Sequence, residues 1–257
     1  MNPAMTPIIS ALHIALWLPI VAFAQKNHDK EKRPAAKEVI EKFVDALGGE
    51  MMLKSMKTFQ IKGKVRGGTR ESSFDFCYSD GKYSAKIFYG DELWTEAGND
   101  GEYSWQRRGE RGQKMKQPLI YDLSIELFGP AALAILLAEN IDRLEVVGKE
   151  DIDEKPAWKL RSESPEGMEI YRFFDVESGL LVKSELTNGE QSTENFFEYQ
   201  ETDIANVKII GKCRSVASTP SGGKVERVLL VVESFETEPT IEESRFALPE
   251  GLPDNDK

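Results

Sequence analysis

TFQIKGKVRGGTRESSFDFCYSDGKYSAKIFY, residues Thr58 to Tyr89, changes the hydrophobic period of the chain to two. Phe59, Ile61, Gly63 and Val65 alternate with Gln60, Lys62, Lys64 and Arg66. One face of that run is therefore apolar and the other wet, as in an antiparallel strand. Gly67-Gly68 supplies a turn, and Phe74, Phe76 and Tyr78 alternate in the same way. Asp80-Gly81 is a strong hairpin signal, because both central residues of a type I′ turn need positive φ. Tyr83, Ala85, Ile87 and Tyr89 continue beyond it. Gly90-Asp91 and Asn99-Asp100-Gly101 then bound further short strands, Glu92 to Ala97 and Glu102 to Arg107, so the region reads as a meander of about five strands.

Upstream, Val39, Ile40, Phe43, Val44 and Leu47 recur at three- and four-residue steps, which predicts an amphipathic helix from Ala35 to Leu47 ended by Gly48-Gly49. A short helical piece, Glu50 to Met56, carries Met51, Met52, Leu53 and Met56. Downstream the alternation breaks from Pro118 to Asn140. Leu119, Ile120, Leu123, Leu127 and Phe128 suit a helix, Gly129-Pro130 resets it, and Ala131 to Leu137 is apolar almost all round. A helix apolar on every side is buried or covered. The segment therefore reads as an internal plug or lid with a hinge at Gly129 and Pro130, or as a plain helix packed on a sheet. Strands resume at Arg143 and run to Phe235, separated by turn signals at Pro165-Glu166-Gly167, Asp175 to Gly179, Asn188-Gly189 and Pro220 to Gly223. Phe246 and Leu248, between prolines and acids, read as a tail strapped onto the sheet. The fold class is mainly β, of α+β type, as one large antiparallel sheet or open barrel.

The first 24 of the 257 residues contain no Asp, Glu, Lys or Arg, and the charged run QKNHDKEKR follows at once. Ala22-Phe23-Ala24 has the small-x-small form favoured before a signal peptidase cut, although the n-region lacks Lys or Arg. The expected organisation is a signal peptide over 1–24, a charged linker over 25–34, and a single β-rich domain over 35–257. The mature protein is expected to be exported, periplasmic or otherwise outside the cytoplasm, and not membrane-spanning. Cys77 and Cys213 lie in strand-like runs. An oxidising compartment permits them to pair, and two separate buried thiols are the alternative.

The net charge of -11 argues against a nucleic-acid partner. The one basic cluster, Arg107, Arg108, Arg111, Lys114 and Lys116, is interrupted by Glu110 and reads as a solvated hairpin. Both histidines, His13 and His28, lie before the folded body, which leaves it without a Ser-His-acid or Cys-His arrangement and without the usual catalytic zinc ligands. No phosphate-binding or nucleophile-elbow motif is present. Carboxylate pairs drawn from Asp75, Glu163, Glu169 and Asp175 are of the kind that 44 acidic residues produce by chance. Asp151, Asp153 and Glu154 lack the spacing of a calcium loop. No catalytic residue, metal or cofactor is expected. The aromatics Trp94, Trp105, Trp158, Phe173, Phe174, Phe196, Phe197 and Tyr199 are expected to divide between core and cavity lining.

VIEKFVDALGG (Val39–Gly49), DELWTEAGNDGEYSW (Asp91–Trp105), YRFFDVESGLLVKSE (Tyr171–Glu185) and FETEPTIEESRFALPEGL (Phe235–Leu252), together with the export signal, give a sequence that resembles the LolA/LolB family of lipoprotein carriers. The resemblance implies a strongly curved antiparallel sheet or half-barrel of about 11 strands enclosing helices, with a hydrophobic cavity that takes lipoprotein acyl chains in the known carriers. It places Phe59, Ile61, Phe74, Phe76, Leu123, Leu127 and Leu133 near the ligand. The implied function is binding or carriage of a lipid, a lipoprotein acyl chain or another apolar small molecule by a monomer that also meets an envelope protein. A non-catalytic envelope scaffold or sensor with a filled interior is the alternative.

Overall fold

A computed structural model describes residues 33–67, 72–116, 119–164, 167–188, 191–204, 206–218 and 223–253. The expected signal segment 1–24 and residues 25–32 of the linker lie outside them, as do Gly68, Pro118, Pro165-Glu166, Gly189 and Pro220 to Gly222. The chain opens with helices α1 (Ala36–Ala46) and α2 (Glu50–Ser55), close to the predicted bounds. Six strands follow: β1 (Thr58–Arg66), β2 (Ser72–Ser79), β3 (Lys82–Tyr89), β4 (Glu92–Asn99), β5 (Ser104–Arg108) and β6 (Arg111–Met115). Helices α3 (Leu123–Phe128) and α4 (Pro130–Glu139) come next, flanked by 3-10 turns at Leu119–Tyr121 and Ile141–Arg143. The second run of strands is β7 (Glu145–Ile152), β8 (Lys155–Glu163), β9 (Glu169–Asp175), β10 (Leu181–Asn188), β11 (Gln191–Glu201), β12 (Lys208–Ser218) and β13 (Lys224–Thr237). Asp80 and Gly81 both have positive φ, at 44° and 87°, as the hairpin signal requires.

Every strand pairing among the described residues is antiparallel, and the order is β6-β5-β4-β3-β2-β1-β13-β12-β11-β10-β9-β8-β7. Two meanders thus join in the middle through β1 and β13. The expected strongly curved sheet or half-barrel of about 11 strands is corrected here. The sheet is open, with thirteen strands among the described residues; it is not closed into a barrel and not strongly curved. β6 and β7 form opposite ends of the order although they are consecutive in the chain. The segment between them folds as helices instead of a turn, so no short connection brings the two edges together to pair. The strand count was low partly because β6, RGQKM, has no apolar alternation.

The face that carries α3 and α4, here the inner face, holds the core. Cross-strand rows fix its members: Ile61 pairs with Phe76, Phe76 with Ala85, Ala85 with Ala97, and Ala97 with Gln106. α4 is apolar all round, as its sequence implies, and Leu133, Ala134 and Leu137 are fully buried. α1 reaches the core through Phe43, whose ring meets that of Phe174 edge-on at 5.1 Å.

The outer face of β2, β3, β5 and β6 is covered by the C-terminal segment, as the tail reading anticipates. Arg245 pairs with Asp75 at 3.1 Å and donates to the Ser84 hydroxyl, Phe246 is buried, and the Lys114 amide donates to the Pro253 carbonyl. Trp105 is buried on this face against Gly98, where an added Cβ would stand 2.5 Å from the indole ring. Glycine is needed there because the ring occupies the space of a side chain.

Cys77 and Cys213 are both free and buried. β1 and β13 lie between their strands, a separation of about 14 Å at the usual strand spacing, twice the reach of a disulfide. Their side chains also point to opposite faces. The alternative of two separate buried thiols is the one the fold adopts.

Candidate functional site

The site begins with α3, a helix of six residues held to the inner face by polar anchors at both ends. Asp122 caps it: one carboxylate oxygen accepts from the Ser124 amide at 2.9 Å, and the other accepts from the Tyr83 hydroxyl on β3. Burial raises the Asp122 pKa above the ordinary carboxylate value, against the lowering effect of those hydrogen bonds. Burial and the neighbouring Asp122 hold the Tyr83 phenol well above its usual pKa. One helical turn on, Glu126 is fully buried and pairs with Arg172 of β9 at 2.6 Å. The Arg172 guanidinium also donates to the Ile120 carbonyl at 2.8 Å and to the Ser162 hydroxyl at 3.2 Å. Glu126 Oε1 and the Tyr199 hydroxyl are buried without a partner, and burial followed by the Glu126 charge pushes the Tyr199 and Cys213 pKa values upward.

Two adjoining cavities lie between α3 and the sheet. The first, about 240 Å³, is mostly apolar and lined by Ala85, Ile87, Leu127, Phe128, Val228 and Leu230, with Cys213 and Ser215 at one side. The second, about 290 Å³, is lined by Tyr83, Ser104, Gln113, Met115, Tyr121 and Asp122, with Met168 opposite. Ala97, Gln106 and Ser124 line both. An apolar compartment thus abuts a second one that is still mostly apolar but carries more polar groups, and that reaches β6, where Gln106 is exposed and Gln113 half-buried. Small residues make the room, since Ala85 and Ala97 continue on β3 and β4 the row that carries Phe76 on β2.

Of the residues predicted to approach a ligand, Leu127 lines the apolar cavity. Phe59 lines a separate cavity of about 330 Å³ beside α2 and α4. Ile61, Phe74, Phe76 and Leu133 are buried in the core. Phe128 lies over Phe74 and Phe76, with ring centroids 4.9 and 5.4 Å away, and fills the space above them. Leu123 opens α3, but its side chain lies outside the described residues. Gly129, named with Pro130 as a hinge candidate, lies between α3 and α4, and Pro130 is the first residue of α4.

The carboxylates weighed as catalytic pairs are engaged locally. Asp75 meets Arg245, Glu163 and Glu169 flank Arg161, and Asp175 accepts from Ser178 in the turn after β9. Among the described residues there is no group of three or more His, Cys, Asp or Glu side chains able to hold a metal ion, and no helix long and apolar enough to cross a membrane. The basic cluster is the β5–β6 hairpin, where Arg107 pairs with Glu96 and Arg108 lies over the Trp94 ring at 4.3 Å. Sequence reading missed Asp122, Glu126 and Arg172. The available signal was a single acid inside an apolar helix and an arginine in the buried phase of a strand.

No family model matches the chain, and neither does any curated protein. Among solved structures, it is similar to a LolA superfamily protein from Nitrosomonas europaea, at a TM-score of 0.54 and 12% identity over 84% of this chain and 99% of that one. It is also similar to a DUF1329 family protein from Desulfovibrio piger, at 0.51 and 10% over 84% and 98% respectively. The likeness is one of fold. At that level it agrees with the resemblance drawn from the sequence, while the strongly curved half-barrel which that resemblance implied is not what this chain forms.

Proposed function

We propose that this chain binds a lipid or other apolar-tailed small molecule outside the cytoplasm, without catalysing its conversion. The observation that carries this reading is the apolar cavity under Leu127 and Phe128, adjoining a second, somewhat more polar cavity at the sheet edge. A dry apolar cavity of about 150 Å³ holds benzene, so 240 Å³ accommodates roughly eight methylenes. Burying them is worth about 6 kcal/mol at 0.8 kcal/mol each, which before the costs of ordering corresponds to a Kd of tens of micromolar. A longer chain would require α3 to swing about Gly129-Pro130, withdrawing Phe128 from Phe74 and Phe76 and joining their aromatic row to the cavity. The LolA-like fold supports a carrier role for a lipid or a lipoprotein acyl chain, with release to an envelope partner.

One observation favours the scaffold reading: Phe128 fills the position where the ligand was expected. Native mass spectrometry with organic extraction of the exported protein separates the two, since carriage requires a co-purifying lipid. Uptake of the neutral probe N-phenyl-1-naphthylamine should be lost in Leu127→Asp with the far-ultraviolet circular dichroism of the sheet retained. It should be slowed in Gly129→Ala, whose added carbon would stand 3.3 Å or more from its neighbours. No bound species and no probe uptake by the parent would establish a filled interior.

A further inference from the structure

The row that runs from the apolar cavity to the sheet edge ends in two amides. Ala97 pairs with Gln106 across β4 and β5, and Gln106 pairs with Gln113 across β5 and β6. Both glutamines line the second cavity, and neither side-chain amide is hydrogen-bonded to another described residue. An amide side chain offers two N–H donors and a carbonyl acceptor, so the pair matches a head group that both accepts and donates. Charge is nearly excluded from this space. Among the described residues, no Lys or Arg lines either cavity. Asp122 is buried and held by Tyr83 and Ser124, and the Glu96 carboxylate turns to Arg107 and Lys86 on the other face. The cations of adjoining segments are engaged: Lys114 and Lys116 lie over the Tyr103 ring, Lys116 also pairs with Glu102, and Arg143 meets Tyr121.

We propose that the ligand is an amphiphile whose head group is uncharged, an ester, amide or hydroxyl held between Gln106 and Gln113 while the tail lies under Leu127 and Phe128. This rests on the binding function proposed above. A carboxylate or phosphate head would meet Asp122 with no cation among the described lining residues to offset it, on a chain of net charge -11.

Equilibrium dialysis of 1-decanoylglycerol, decanoate and decyl phosphate at pH 7.5 tests the assignment. Work in 0.5 M salt, where the Debye length is about 4 Å, removes the long-range repulsion of the whole protein. The glycerol ester should bind about tenfold tighter than either anion. Gln106→Leu with Gln113→Leu should erase about that factor, read as the ratio of the ester affinity to the anion affinities. Gln106→Lys, at an exposed position, should shift the preference toward decanoate. Decanoate binding as tightly as the ester, or a double leucine variant indistinguishable from the parent, overturns the head-group assignment and leaves the cavity reading intact. Loss of all three amphiphiles and of the neutral probe overturns the cavity reading itself.

Discussion

Arg172→Leu is the perturbation that most directly tests how α3 is held. The substitution removes the 2.6 Å pair with Glu126 and the hydrogen bonds to Ile120 and Ser162. It strands a carboxylate with no solvent exposure, one of whose oxygens already lacks a partner. Breaking a buried pair on one side costs about 3–5 kcal/mol. With an m-value near 3 kcal/mol/M, the urea midpoint should fall by about 1–1.7 M. Adding Glu126→Leu removes the stranded charge. What remains is the unpaired Ile120 carbonyl and Ser162 hydroxyl, at about 1–3 kcal/mol together. The double variant should therefore be more stable than Arg172→Leu alone, by about 2 kcal/mol. Urea titrations of the parent, both single variants and the double variant measure the coupling. Hydrogen exchange at residues 120–128 reports whether the loss is local to α3. A midpoint for Arg172→Leu within 0.3 M of the parent, about 1 kcal/mol by the same m-value, would refute the idea that this pair anchors the cavity wall.

Two further outcomes follow from the buried titratable groups. The Asp122 carboxyl holds its proton more tightly folded than unfolded because it is buried, so its ionisation opposes folding. Its contribution is full below the unfolded-state value of about 3.9 and is lost as pH rises through the raised folded pKa. Asp122→Asn, which keeps an acceptor for the Ser124 amide and turns an N–H donor toward the Tyr83 hydroxyl, should therefore gain stability relative to the parent as pH rises from 4 to 7. Thermal unfolding across that range would contradict the assignment if the gap narrowed. For the thiols, burial pushes Cys77 up to about 11 and raises Cys213 further. Neither should react with Ellman's reagent at pH 8 in the folded protein, and both should react in urea; a disulfide would leave none to react in either state.

Most of the fold was legible because its strands obey a period of two set by one buried face. Phe59, Ile61, Phe74 and Phe76 lie on that face because their alternation leaves no other placement. The limits of α1 and the covering tail were legible for similar local reasons, a double glycine after an apolar stripe and isolated apolar residues between prolines. β6 was not, because its inner side chains, Gln113 and Met115, border an open cavity and need not be apolar. The openness of the sheet was not legible either, since strand order depends on where residues 119–143 lie and no local pattern encodes that.

The site was only partly legible because the reading ranked residues by hydrophobicity, which finds cores more readily than cavities. Phe74 and Phe76 are large enough to be covered by Phe128, and together these three rings close the interior. The room appears one strand further on, where the same row carries Ala85 and Ala97, and it becomes polar where the row ends in Gln106 and Gln113. A wall built from a six-residue helix cannot be stable alone. Its position therefore depends on Asp122 and Glu126, residues whose polarity made them look solvated. The polar groups that a hydrophobicity scale sets aside are thus the ones that hold the cavity open, because the hydrogen-bonded Asp122 and the Glu126–Arg172 ion pair fix α3 while Leu127 and Phe128, just beyond them, face the space below.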